Sequence, residues 1–261
     1  MKDDLHIRES DRAQDTGSRQ TTTHPAVIAL IPASTPADDL PDVVKALMAK
    51  IPAVVLVNDG SSPRHTGLFA KLAELGNVTV LHHARNAGKG AALKTGLSYI
   101  YEHCPEVTGV VTVDADGQHL PEDAFRVANR FAAQPGTLVV GSRTFGHAVP
   151  WRSRFGNAII SRLLRGVAGI RLSDTQSGLR AIPRTVIPSL LGITEDGYEF
   201  ELAMLLACRA HGLAIVEEPI TTVYIDDNAS SHFSPLADSI RICWNLLKWR
   251  GALAGRTVSS A

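Results

Sequence analysis

The sequence predicts an α/β fold in which helices flank a Rossmann-like, mostly parallel central sheet. Three observations predict it. From Pro25 to Arg250, short apolar runs rich in valine and isoleucine alternate with amphipathic segments of ten or more residues. The runs are continuous rather than alternating, which marks strands buried on both faces, and their spacing matches βαβ units. Four successive runs end in polar clusters: Asn58-Asp59, His82-His83, Asp114-Ala115-Asp116 and Ser142-Arg143. In parallel sheets ligands sit at the carboxyl ends of strands, so one sheet edge is the expected site.

The elements follow in order. Ala26–Ile31 reads as the first strand. A helix follows over Asp38–Ile51, with Leu40, Val43, Val44, Leu47 and Met48 at helical spacing. Ala53–Val57 is the second strand, Thr66–Leu75 a helix and Val78–Leu81 the third strand. Gly90–His103 is helical, Gly109–Val113 a strand, Pro121–Ala133 a helix and Leu138–Val140 a strand. Trp151–Ala168 is helical, with Trp151, Phe155, Ile159, Leu163 and Val167 as an apolar stripe and Arg154, Ala158, Arg162 and Arg165 beside it. Tyr198–His211 is a helix, and Ala214–Val216 and Thr221–Ile225 are strands. Residues 226–234 form a polar loop before a last helix over Pro235–Arg250. Residues 1–24 are charged on both signs and poor in large apolar groups. They read as a disordered tail, and 251–261 as a flexible end, around one domain over 25–250.

Composition narrows the function. The 261 residues carry 26 basic and 26 acidic side chains, so net charge argues against a general nucleic-acid binder. The three cysteines, Cys104, Cys208 and Cys243, are far apart, which excludes a disulfide scaffold and any CxxC metal or redox motif. No stretch approaches the roughly 18–20 apolar residues of a membrane span, and the N-terminus has no signal-peptide h-region. The charge is unevenly placed, however. Residues 127–173 contain no Asp or Glu, yet hold Arg130, Arg143, Arg152, Arg154, Arg162, Arg165 and Arg171. A basic amphipathic helix in that span suits a membrane surface or an anionic ligand. It equally suits a core-packed helix with a solvated basic face.

Asp114-Ala115-Asp116-Gly117-Gln118-His119 directly follows a strand. Two carboxylates two residues apart at such a turn suit a divalent cation, with Gln118 as a third oxygen. The same residues also suit a plain strand-terminal turn. Asp59, in Asn58-Asp59-Gly60-Ser61, is placed to accept from a nucleobase or ribose, or to serve turn chemistry. Arg85-Asn86-Ala87-Gly88-Lys89-Gly90 opens a helix and invites a phosphate reading. It is not a P-loop, because His83 stands where the first glycine belongs and Ala91 follows Lys89-Gly90. Nor is it a dinucleotide fingerprint, because Leu93 replaces the third glycine.

Together these motifs resemble glycosyltransferase family 2, with its GT-A fold for nucleotide-diphospho-sugar transferases. They are most similar to its dolichol-phosphate mannosyltransferase-like, polyprenyl-phosphate branch. Ile31-Pro32-Ala33, Gly141-Ser142-Arg143, Asp174-Thr175-Gln176-Ser177-Gly178-Leu179-Arg180 and Gly197-Tyr198-Glu199-Phe200-Glu201 complete the likeness, which runs from about Pro25 to Trp249. The resemblance implies nucleotide contacts from Pro32, Ala33, Asp59, Lys89 and Asp114. It implies Mg²⁺ or Mn²⁺ on Asp114, Asp116 and Gln118, and a sugar pocket of Asp174, Gln176, Ser177, Glu199 and Glu201. It implies an acceptor-phosphate site of Arg143 with Arg152 or Arg154, and Ser231 and His232 from the late loop. Asp116, Arg143 and Arg154 would then be the catalytic set. The partners implied are a nucleoside-diphosphate sugar, GDP- or UDP-linked, and a polyprenyl phosphate, met peripherally at the inner face of the cell membrane. A saccharide hydroxyl as acceptor, with Glu199 or Glu201 as base, or a silent nucleotide-sugar binder, are the other readings. The sequence departs from the family at Ser34-Thr35-Pro36, where relatives often carry Tyr-Asn-Glu after the first strand.

Overall fold

The computed structural model describes residues 27–143 and 151–221, with side chains in the helix from Trp151 described from residue 157 onward. Among the described residues, seven strands form one sheet. They are β1 (Val27–Ala33), β2 (Val54–Asp59), β3 (Val78–His83), β4 (Gly109–Thr112), β5 (Leu138–Arg143), β6 (Arg180–Pro183) and β7 (Ile215–Ile220). Their order is β3-β2-β1-β4-β6-β5-β7. The helices are α1 (Leu40–Met48), α2 (Thr66–Ala73), α3 (Lys89–His103), α4 (Pro121–Ala133), α5 (Trp151–Ala168), α6 (Ile187–Leu191) and α7 (Glu199–Ala210).

The continuous apolar runs are explained by two cores, one on each side of the sheet. Along β1, Ile28 and Leu30 face α3, α5, α6 and α7, while Val27, Ala29 and Ile31 face α1, α2 and α4. Residues of alternate parity are therefore both buried, and β1 pairs in parallel with β2 and β4 at the centre. Each fully buried aliphatic side chain there contributes about 1.5–3 kcal/mol.

Three features depart from the sequence expectation. The first is β6, which the hydropathy pattern does not reveal: four residues beginning with an arginine make too short a signal. It lies antiparallel between β4 and β5, pairing Arg180 with Thr112 and Ala181 with Val111 and Val139. Because β6 runs backwards, the residues before it reach the edge that the residues after β4 and β5 occupy. That is how the 174–179 segment joins the site. The second is β7, which runs on through Glu217-Glu218-Pro219 to Ile220 where the expected strand ends at Val216; the further strand expected over Thr221–Ile225 falls outside the described residues from 222 onward. Paired among the described residues with β5 alone, β7 stands at the edge and tolerates Pro219.

The third is the orientation of α5. Among its described side chains Asn157, Ile160 and Leu164 are buried and Leu163 packs against the core, whereas Ile159 is 37% exposed. The expected stripe therefore divides here, with Leu163 turned to the core and Ile159 to the surface. Among the described residues, no helix is long and apolar enough to cross a membrane. The expected tails, the 226–234 loop and the 235–250 helix lie outside the described residues.

Candidate active site

The turn after β4 is built around its own backbone. Val113 donates to Leu30 O at 3.0 Å, which carries the strand one step past its last pair. The Asp114 amide donates to His119 Nδ1 at 3.1 Å. Nδ1 is therefore an acceptor, the ring proton sits on Nε2, and Nε2 faces Asp114 Oδ2 at 3.9 Å. Gln118 N donates to Asp116 Oδ1 at 3.0 Å, an Asx-type turn that fixes the second carboxylate. Thr112 Oγ1 donates to Gly178 O at 2.6 Å and draws the 174–179 segment against this turn. Gly178 has no room for a side chain there: a Cβ would lie 2.4 Å from Asp114 Oδ2.

Lys89 reaches across from the start of α3. Its Nζ lies 2.7 Å from Asp114 Oδ1 and 3.2 Å from Glu201 Oε1 on α7. Burial disfavours both charges, but mutual attraction wins. Lys89 is held above the ordinary lysine range by Asp114 and Glu201, and Asp114 is held down at about 2 by Lys89 and then His119. Asp116 moves the other way, because burial and the neighbouring Asp114 charge raise its pKa. The Tyr198 ring, 38% exposed, stands 5.8 Å from the Lys89 ammonium.

Asp59 explains why the Asn86–Gly90 stretch has its shape. Its carboxylate is almost fully buried and takes three hydrogen bonds. Oδ1 accepts from Ala87 N at 2.8 Å and from His83 Nδ1 at 2.7 Å, and Oδ2 accepts from Gly88 N at 3.0 Å. With its proton on Nδ1, His83 accepts at Nε2 from Thr95 Oγ1 at 2.9 Å. His82 meets Asn58 at 3.1 Å, so the two histidines serve the strand end and not a metal. Gly88 has φ +103°, and a Cβ there would lie 2.4 Å from Asp196 O. Glycine at this position lets the chain turn so that Lys89 points at Asp114. Pro32 and Ala33 end β1 beside this loop, where Ser61 Oγ donates to Ala33 O at 3.1 Å.

On the other flank stands Arg143, at the end of β5. Asp174, fully buried, receives Arg143 Nε at 2.6 Å and Nη2 at 3.2 Å. It also accepts from the amides of Arg143 at 3.3 Å and Gln176 at 3.0 Å. A carboxylate expected among the sugar contacts thus holds the guanidinium in a fork-to-fork pair. Ser177 Oγ accepts from Leu179 N at 3.3 Å. Gln176 Nε2 is buried without a hydrogen-bond partner among the described residues. Arg152 and Arg154 lie in the first turn of α5, where side chains are not described. Ser231 and His232 fall outside the described residues.

Two residues without an assigned role complete the arrangement. Arg180 is fully buried and donates to carbonyls on both sides of the cleft: Ser177 O at 3.1 Å, Thr175 O at 3.3 Å, and Glu201 O. Glu217 Oε1 accepts from Ser173 N and Ser173 Oγ, each at 2.7 Å. The fully buried arginine has a weak sequence signal, since it closes the 174–180 motif; Glu217 has none.

The fold is that of the GT-A glycosyltransferases. It superposes with a TM-score of 0.64, at 18% identity, on glucosyl-3-phosphoglycerate synthase from Mycobacterium tuberculosis, crystallised with Mn²⁺, UDP-glucose and phosphoglyceric acid; the match covers 86% of this chain and 79% of that one. The family model described as Glycosyl transferase family 2 matches residues 29–190. The chain is 31% identical over 223 residues to the polyprenol monophosphomannose synthase of Mycolicibacterium smegmatis, covering 81% of this chain and 83% of that protein. It is 32% identical over 209 residues to the undecaprenyl-phosphate mannosyltransferase of Micrococcus luteus, covering 76% and 83%. The chain belongs to glycosyl transferase family 2 and is a glycosyltransferase.

Proposed function

We propose that the chain transfers a sugar, with inversion, from a GDP- or UDP-linked donor to a polyprenyl phosphate at the inner face of the cell membrane. One observation carries this reading. The Asp114 turn and the Asp174-held Arg143 stand at the ends of β4 and β5 with only β6 between them. A donor diphosphate and an acceptor phosphate can therefore meet over one edge. The names of the two relatives support the lipid-phosphate acceptor.

Asp114, Asp116 and Gln118 fit a hard divalent cation, Mg²⁺ or Mn²⁺. They offer only oxygens from one turn, and the missing Cβ of Gly178 leaves the Asp114 carboxylate its space. Among the described residues no three His, Cys, Asp or Glu side chains cluster as a closed metal site, so donor phosphates would complete the shell. When bound, such an ion offsets the charge that develops on the departing diphosphate.

This chain's residues do the rest. Lys89 keeps Asp114 ionised and fixed, and Gln176 Nε2 has a hydrogen bond to give to a sugar oxygen. Arg143, with Arg152 or Arg154 from the first turn of α5, holds the acceptor phosphate for in-line attack. One phosphate oxygen forms the new bond to the anomeric carbon as the bond to the diphosphate oxygen breaks. The acceptor phosphomonoester, with a second pKa near ~6, is dianionic at neutral pH, and no proton has to be removed. Glu201 is already paired with Lys89, which supports this base-free route over attack by a saccharide hydroxyl.

The test is transfer of labelled sugar into an organic-extractable product, with UDP- and GDP-sugars offered in turn, polyprenyl phosphate, and Mg²⁺ or Mn²⁺. Chelator-sensitive label in the organic phase is expected. Label that moves only onto a water-soluble saccharide overturns the acceptor.

A further inference from the structure

A second cleft, of about 580 Å³, runs along α5 behind the acceptor side of the site. Ser161, Arg162, Arg165, Arg171, Ser173 and Glu217 are among its lining residues. Its size is that of a small-molecule site. The three arginines are exposed, and none pairs with a carboxylate among the described residues. The one acid present, Glu217, spends an oxygen on Ser173 and the Asp174 amide. Independently, Ser161 Oγ is buried and has no hydrogen-bond partner among the described residues. Three guanidinium forks and an unused hydroxyl on one cleft are the donor set of a phosphate site.

The source of that phosphate is indicated by Ile159. It is the one large aliphatic side chain more than a third exposed among the described residues, and it lies one turn before Arg162 on the same helix. An aliphatic side chain in water beside arginines is the composition of a helix lying at a headgroup layer. We propose that the cleft seats the headgroup phosphate of an anionic membrane phospholipid and so docks α5 on the bilayer. On this proposal the lipid in the cleft is a neighbour of the acceptor and not the acceptor itself, since Ser173 of the cleft adjoins Asp174, which holds Arg143. The inference rests on the membrane-surface part of the proposed function, and not on its donor or its chemistry.

The experiment is co-sedimentation of the full chain with phosphatidylcholine vesicles, with and without phosphatidylglycerol. Arg162→Gln, Arg165→Gln and Arg171→Gln combined should weaken binding to the anionic vesicles roughly a hundredfold, at the usual worth of arginines near such a bilayer. Ser161→Ala changes no charge and should still cost about fivefold, the worth of one hydrogen bond. A charge-matched control, Lys45→Gln with Lys71→Gln and Arg130→Gln, should bind nearly as the wild type. Equal loss in the control, or none in Ser161→Ala, means diffuse attraction and overturns a seated headgroup. Release from vesicles by millimolar inorganic phosphate at matched ionic strength assigns the cleft to a soluble phosphate and overturns the lipid.

The triple cleft variant should keep wild-type kcat/KM on a short-chain polyprenyl phosphate in detergent. Loss there would merge the cleft with the acceptor site and refute a separate one. If the wild type transfers no sugar to lipid yet shows the vesicle pattern, the proposed function falls and the cleft stands. Transfer without the vesicle pattern gives the reverse.

Discussion

Gly178→Ala places a methyl group where the Asp114 carboxylate now lies. The new Cβ would sit 2.4 Å from Oδ2 and 2.5 Å from Oδ1, where ordinary contact begins at 3.4 Å, so the carboxylate must retreat by about 1 Å. It cannot do so freely, because Lys89 holds Oδ1 at 2.7 Å. Two costs follow. Weakening a charge-assisted hydrogen bond costs about 1.5–3 kcal/mol, partly offset by about 0.4–1 kcal/mol from the stiffer unfolded chain. Stability should therefore fall by only about 1–2 kcal/mol. Activity should fall much further, since an ångström of misplacement at a reacting centre costs on the order of a hundredfold. The assay pairs kcat/KM for label transfer with calorimetric melting. Gly192→Ala is the control, because a Cβ there meets only Ser189 O, at 3.5 Å. Gly178→Ala with more than half the wild-type kcat/KM would refute the view that Asp114 must stand where it does.

Asp116→Ala should abolish transfer while melting stays near that of the wild type; full activity would remove this residue from any metal site. Asp174→Asn keeps the shape but not the charge that holds Arg143. Stability should fall by about 2–3 kcal/mol, below the usual loss for a broken buried pair because the Arg143 side chain is 25% exposed. The KM for lipid phosphate should rise more than kcat falls, and an unchanged KM would argue against Arg143 as the phosphate contact. Asp114 titrates at about 2 against an ordinary 3.8, so its ionised form favours the folded state by roughly 2 kcal/mol. That contribution is complete above pH 5 and is lost as the pH falls from about 4 toward 2. Urea unfolding of wild type and Asp114→Asn should therefore differ at pH 6 and converge near pH 2, and a constant difference would contradict the Lys89 pairing.

Most of the sheet was legible because burial on both faces leaves unbroken apolar runs, as in Val27–Ile31 and Val54–Val57. Strand β6 was not, since its four residues owe their place to partners rather than to pattern. That one strand explains much of what the sequence hid. Asp174 and Arg143 stand 31 residues apart, and only the reversal at β6 brings the carboxylate to the guanidinium. The Asp114 turn was legible as an acidic, strand-terminal motif. Its tie to Lys89 was not, because an ammonium's direction depends on Gly88 and on the Asp59 carboxylate that shapes the loop. On α5, helical spacing gave the right element and boundaries. The side facing the sheet was decided by packing of Ile160 and Leu164, which sequence periodicity placed off the main stripe.

Arg180 sets a boundary on how this enzyme can be re-engineered. One guanidinium gathers carbonyls from Thr175, Ser177 and Glu201, so the segment before β6 and the first turn of α7 are fastened at a single point. Apart from Met204 Sδ at 3.8 Å, its acceptors are backbone oxygens, which no side-chain substitution removes. Libraries that vary Gln176 or Tyr198 can alter what the cleft accepts while the fastening persists. Libraries that change the length of either segment move all three carbonyls at once and strand a buried charge. Diversity at this cleft is open to exchange of side chains and closed to insertion.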